Sequence, residues 1–282
     1  MPAFNAISAD QLSRLVGTPR APRVIDVRTD EDFALDPRLI PAALRRPHAD
    51  VLRWAADPAV RDASDIVVAC RKGLKLAQGV AAWLRQLGLP ARTLEGGTLA
   101  WADVGLPLVP TARLPRRDAA GRTVWVTRWR PKVDRIACAW LIRRFVDPDA
   151  AFLFIAPSEV PDVAVRFDAT PFDIEGDGVA WTHRGDLCTF DVMVEELGLA
   201  AEPALVRLAT IVRGADTARP DLAPQAAGLL AVSLGLSRVH ADDLRQLDAG
   251  MIVYDALYRW CRDAADETHD WVSHAPKTGR QP

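Results

Sequence analysis

No segment of this 282-residue chain approaches the roughly 20 consecutive apolar residues that a bilayer crossing needs, so a membrane protein is not expected. Residues Met1 to Gly17 lack a basic stretch followed by an apolar core, which gives no sign of a secretory signal. Cysteine is scarce. The four present, Cys70, Cys138, Cys188 and Cys261, have no paired spacing, so a disulfide framework is not expected and a reducing cytoplasm fits. Charge of one sign is also missing: a net −2 argues against nucleic acid or an anionic membrane as partner. There is no internal repeat. What remains is 49% apolar and 26% charged residues in a chain too long for one typical core, which points to two domains.

The first 110 residues alternate short apolar runs with helical patterns. Ser8-Ala9-Asp10-Gln11 reads as a capping box before a helix. Arg23 to Arg28, Ile66 to Ala69 and Ala91 to Leu94 read as strands, with a short helix over residues 49–56. From Lys75, the residues Leu76, Val80, Trp83, Leu84 and Leu87 make one apolar helix face, and Gly88 is a C-terminal stop. Such alternation predicts an α/β domain with a parallel sheet flanked by helices. Residues 111–123, rich in Arg and Pro, read as a linker. A second domain over 124–263 reads as mainly helical α+β. It opens on a strand at Val124 to Thr127 and a helix carrying Val133, Ile136, Trp140 and Phe145, with further strands at Phe152 to Ile155 and Val163 to Phe167. Residues 264–282 form a polar tail that includes His269 and His274.

Cys70-Arg71-Lys72-Gly73-Leu74-Lys75 lies between an apolar strand and a helix start. A thiol there meets the positive end of a helix dipole, unpaired backbone N–H groups and three cations, all of which favour thiolate over thiol. The same loop suits a small oxyanion. Cys70 is therefore expected to be a nucleophile. The amides of Arg71, Lys72, Gly73, Leu74 and Lys75 would hold an anionic sulfur, with Gly73 allowing the tight curl. Asp26 and Arg28, at a neighbouring strand end, are expected to pair structurally or to shape the pocket.

Three motifs in order resemble a rhodanese domain over about residues 5–110: Val24-Ile25-Asp26-Val27-Arg28, the Cys70 loop, and Leu94-Glu95-Gly96-Gly97-Thr98-Leu99-Ala100-Trp101 with Gly105-Leu106-Pro107. The resemblance implies a sulfurtransferase. Cys70 would take sulfane sulfur from a donor such as thiosulfate, become a persulfide and pass the sulfur to a thiol or cyanide, with no cofactor required. The six-residue loop is similar to that of sulfur-transferring members rather than to the longer loop of related phosphatases. Lys75 and Leu76 stand where the family pattern has Arg and then Ser or Thr, and Leu39-Ile40-Pro41-Ala42-Ala43 replaces its His-Ile-Pro-Gly-Ala turn. Lysine lacks the planar fork of arginine.

The second block resembles the C-terminal domain of the chromate-resistance ChrB family. The residues that carry this are Thr127-Arg128-Trp129-Arg130-Pro131, Asp134 to Phe145, Thr170 to Gly176, His183 to Asp191, Arg213-Gly214-Ala215-Asp216, Ala226 to Leu229 and Tyr254 to Tyr258. That family's regulators carry a DNA-binding region where this chain has the rhodanese-like one. The resemblance therefore implies a role in chromate or thiol stress without DNA binding. Glu175, His183, Asp191 and Asp216 lie at turns or helix starts and are a candidate divalent-metal set. Equally, Asp191 can cap the helix after Cys188, Glu175 can pair with an arginine and His183 can satisfy a core hydrogen bond. Arg128, Arg130 and Arg135 offer an alternative pocket for an oxyanion such as chromate. Cys188, opening a helix, is a candidate partner for Cys70, whereas Cys138 reads as core. Trp125, Trp129, Trp140 and Trp181 are expected to pack in the core.

Two other functions fit these residues. One is a sensor or binding protein for an oxyanion or metal that keeps the rhodanese fold without its activity. The other is a thiol-dependent oxyanion reductase that starts from Cys70.

Overall fold

A computed structural model of the chain describes residues 5–176 and 178–267. The first domain begins with β1 (Ala6–Ile7), α1 (Ala9–Ser13) capped by Ser8, β2 (Arg23–Asp26), α2 (Asp30–Leu35), β3 (Arg38–Leu39) and β4 (Leu44–Arg45). It continues through α3 (Val51–Trp54), α4 (Pro58–Arg61), β5 (Ile66–Ala69), α5 (Lys75–Gln86), β6 (Ala91–Leu94), α6 (Gly97–Asp103) and β7 (Val109–Pro110). Five strands form one parallel sheet in the order β1-β6-β5-β2-β4. Every residue of β5 is buried, as a central parallel strand covered on both faces must be. Strand order reverses between β2 and β5, and open α/β sheets bind ligands at the carboxyl ends of strands beside such a switch. Both Cys70, after β5, and Asp26, ending β2, lie there.

The second domain builds a three-stranded parallel sheet, β10-β8-β9, from β8 (Val124–Arg128), β9 (Ala151–Ile155) and β10 (Thr170–Pro171). Around it pack α7 (Val133–Leu141), α8 (Val160–Arg166), α9 (Thr189–Glu196), α10 (Pro203–Asp216), α11 (Gln225–Val239) and α12 (Asp243–Asp263). The strand expected at Val163 to Phe167 is instead part of α8. Pro161 fits a helix first turn, and Val165 and Phe167 point to solvent rather than alternating across a sheet. Trp125, Trp140 and Trp181 are buried as expected, but Trp129 is exposed, at the start of the turn that carries Arg130 at positive φ. His269 and His274 lie outside the described residues.

The two domains share one continuous apolar cluster that runs from Leu12 and Val16 to Trp140, Phe145 and Tyr258. Ala42 donates its amide to the Phe145 carbonyl at 2.7 Å, and a Cβ on Gly17 would stand 2.2 Å from Phe145 Cζ. The stretch between the domains is held as well. Asp147 accepts from the Thr123 amide and hydroxyl and pairs with Arg117 at 3.1 Å.

Candidate functional site

Cys70 is the first residue past the buried β5, and the chain must turn sharply there to begin α5. The turn is shaped from below by the Gly96-Gly97 corner. Thr98 N donates to Cys70 O at 3.0 Å and Leu99 N to Arg71 O at 3.1 Å, so the first turn of α6 anchors the loop's carbonyls. Gly73 has φ +66, and a Cβ there would stand 2.3 Å from Leu94 O. The loop's amides are in the opposite condition. Among the described residues, no protein acceptor receives a backbone hydrogen bond from Arg71, Lys72, Gly73, Leu74 or Lys75. Five consecutive donors therefore remain for a ligand or water, at the amino end of a twelve-residue helix.

A cavity of about 510 Å³ opens over this loop, lined by Asp32, Cys70, Arg71, Lys72, Leu74, Lys75 and Leu76. Cys70 lines this cavity, is 5% exposed and belongs to a buried apolar cluster with Ile25, Val68 and Ala77. Arg71 faces Asp32 at 3.8 Å, whereas Lys72 and Lys75 are exposed and have no carboxylate partner among the described residues. Asp32 was not apparent as a site residue in the sequence. It reaches the cavity because Thr29 caps α2 and aims that helix's acidic first turn at the loop.

Asp26 and Arg28 do not line this cavity. They form a buried ion pair, with Arg28 Nε 2.8 Å from Asp26 Oδ2, and the guanidinium also donates to the carbonyls of Asp36 and Arg38. The pair fastens the β2–α2–β3 segment.

In the second domain the structure gathers a different set of groups from the four that sequence suggested. His183 and Asp216 come together, joined by Asp134 and Asp173. Asp134, in the first turn of α7, accepts from the Thr189 and Phe190 amides at 2.9 Å each and so caps α9. Asp173, at φ +48, accepts from Arg135 Nε at 2.8 Å and from Thr189 Oγ1 at 3.1 Å. Asp191 turns elsewhere: its Oδ2 accepts from Cys188 N at 3.1 Å, and its Oδ1 pairs with Arg213 at 2.9 Å. Glu175 is not in the cluster. Sequence reasoning missed Asp134 and Asp173. The available signal was Asp134 beside Val133 and Ile136 in a helix whose later residues are apolar, where a buried carboxylate demands a partner.

The charges respond to this crowding. The carboxylates of Asp134 and Asp173 beside it raise His183 from its ordinary 6.5 to about 10. Burial, with Asp134 and Asp173 nearby, raises Asp216 to about 6. Burial also pushes Asp173 upward, but the nearby His183 imidazole and the Arg135 and Arg128 guanidinium groups outweigh it and hold that carboxyl low.

Two expectations are overturned here. Cys188 is not activated by its helix: burial, then Asp134 and Asp191, push its thiol far above the usual range. Nor do Arg128, Arg130 and Arg135 form a free anion pocket. Arg128 and Arg135 are committed to Asp173, while Arg130 donates to the carbonyls of Ser237, His240 and Ala241 at the end of α11.

Comparison with known proteins follows this division. Residues 8–103 match the family described as rhodanese-like domain, and residues 125–261 match the family described as ChrB, C-terminal domain. "Protein ChrB" of Cupriavidus metallidurans is 38% identical over 158 residues, which cover 55% of this chain and 46% of that protein. The chain thus spans about half the length of that relative. A "Sulfurtransferase" of Allochromatium vinosum is 33% identical over 106 residues, covering 37% of this chain and 94% of that protein. A rhodanese-related protein of Thermoplasma volcanium is 26% identical, with a TM-score of 0.32 over 38% of this chain and 98% of that one.

Proposed function

Because the chain belongs to the rhodanese-like family in its first domain and carries a ChrB C-terminal domain in its second, we propose that it is a sulfurtransferase acting through a Cys70 persulfide. The observation that carries this reading is the pairing of a cavity-lining cysteine with five loop amides and two lysines that have no protein partner among the described residues. In the first step the Cys70 thiolate attacks the sulfane sulfur of thiosulfate. A new S–S bond forms, the old one breaks, and sulfite leaves with the electron pair. The persulfide anion then lies where the amides of Arg71 to Lys75 can stabilise it. In the second step a thiolate or cyanide attacks the outer sulfur, and Cys70 departs as thiolate. Lys72 and Lys75 draw an anionic donor to the opening.

The resemblance of the second domain to chromate-resistance proteins directs this chemistry toward oxyanion or thiol stress. The buried, strongly raised Cys188 supports sulfur transfer over an oxyanion reduction that would need a second reactive thiol.

Intact mass spectrometry after thiosulfate exposure tests the proposal. Wild-type protein should gain the mass of one sulfur atom, localised to Cys70 by peptide mapping, and Cys70→Ser should gain none. A wild-type protein that is folded yet unmodified, with no thiosulfate:cyanide turnover, rejects the reading.

A further inference from the structure

Three donor side chains far along the chain from the sulfur site, Asp134, His183 and Asp216, converge on one point, with Asp173 beside His183. Asp134 comes from α7, Asp173 from the turn after β10, His183 from the loop before α9, and Asp216 from the last residue of α10. His183 Nε2 stands 3.5 Å from Asp134 Oδ2, 3.4 Å from Asp173 Oδ1 and 3.4 Å from Asp216 Oδ2. One ring N–H donates along one direction, and a charge-assisted bond would draw its acceptor to about 2.7–2.9 Å. No oxygen of the three comes that close, and all three are nearly equidistant. The spacing is instead that of donors around a common centre. Two ligands of a tetrahedral ion at about 2.0–2.1 Å stand about 3.3–3.4 Å apart, close to the separation His183 keeps from Asp134 and Asp216. Donor atoms of Asp134, His183 and Asp216 all lie within 4.8 Å of one another.

We propose that Asp134, His183 and Asp216 form a divalent transition-metal site, with Zn²⁺ the ion that suits it and Asp173 standing beside it. Two carboxylates and one imidazole, with a fourth position left for water, favour a borderline ion over Ca²⁺ or Mg²⁺, because the nitrogen donor disfavours the hard cations. Asp134 is also held from behind, as a ligand of a built site is. Main-chain amides of Thr189 and Phe190 fix Asp134, while Arg135 and Thr189 Oγ1 fix Asp173. Asp216 has no partner but His183 among the described residues, and a cation supplies the missing one. The side chains of His183 and Asp216 are 42% and 23% exposed, which gives an ion a path in. Arg135 against Asp173 offsets the remaining negative charge.

The test uses the full chain without an affinity tag, stripped by chelator and titrated with Zn²⁺ calorimetrically and with Co²⁺ by visible absorption. One ion per chain is expected, with the intense spectrum of tetrahedral Co²⁺ and no sulfur-to-metal charge-transfer band. His183→Ala and Asp216→Asn should each weaken binding at least tenfold, while Glu175→Gln, outside the cluster, binds as wild type. Cys70→Ser should also bind normally, separating this site from the sulfur chemistry. Circular dichroism of each variant confirms folding, and Asp216→Asn, nearly isosteric, serves if His183→Ala unfolds. Folded wild-type protein that binds neither ion stoichiometrically overturns the proposal, as do folded variants that bind as tightly as wild type.

Discussion

Gly97 lies directly against Cys70: a Cβ on Gly97 would stand 2.1 Å from the Cys70 carbonyl oxygen and 2.4 Å from Gly73 N. Both glycines have positive φ, so an added methyl group meets a backbone clash and a strained conformation together. Gly97→Ala should therefore displace the nucleophile's loop. We expect a loss of about 1–3 kcal/mol in stability, the range for backbone strain, and at least a tenfold drop in thiosulfate:cyanide turnover. Urea unfolding and steady-state assay check this. Ala100→Gly, one turn into α6, should lower stability without comparable loss of turnover.

The four thiols should separate cleanly by reactivity. Burial raises Cys138, Cys188 and Cys261, the last to about 11 from 9.0, whereas Cys70 lines a cavity. Iodoacetamide at pH 8 should add one label, at Cys70, with the other three modified only after denaturation. Labelling of Cys261 in folded protein should begin as pH approaches 11. A thiol raised on folding binds its proton more tightly in the native state, so its contribution to stability is present below pH 9 and lost as pH climbs toward 11. Intact mass after labelling across pH reads the order directly.

Asp26→Asn leaves Arg28 as a buried cation without its counter-charge. The expected cost is about 3–5 kcal/mol, the range for breaking one half of a buried pair, measured by chemical denaturation. Because Asp26 lies outside the cavity, the protein that remains folded should turn over thiosulfate with kcat within twofold of wild type.

Ala42 stands at φ +60, a left-handed position that costs an L-residue about 1–2 kcal/mol. The rhodanese-like turn has glycine at the corresponding place. Ala42→Gly should raise stability by about 0.5–1 kcal/mol, the relieved strain less the added freedom of the unfolded chain. Differential scanning calorimetry should show a higher Tm.

How much of this was legible in the sequence follows from the range of the forces involved. β5 and α5 were readable because an apolar run, a glycine-containing loop and a helical stripe are local signals, and they placed Cys70 correctly. The Val163–Phe167 segment misled because its apolar alternation imitates a strand, while Pro161 and the exposure of Val165 belong to a helix. The Asp134–Asp173–His183–Asp216 cluster spans four separate elements. Its members are 10 to 82 positions apart in the chain, and no periodicity links them. Glu175 and Asp173 both sit in the Asp173-Ile174-Glu175 turn, and φ +48 at Asp173 decides which carboxylate faces inward. That choice is made by tertiary packing.

The Phe145 ring seated over Gly17, together with the Ala42–Phe145 hydrogen bond, carries a practical lesson for anyone cutting this molecule in two. Severing the polypeptide between residues 110 and 124 would strip greasy surface bare on each fragment, inviting clumping instead of tidy modules. Recombination, whether in a genome or at a bench, must therefore carry both halves together or redesign the seam.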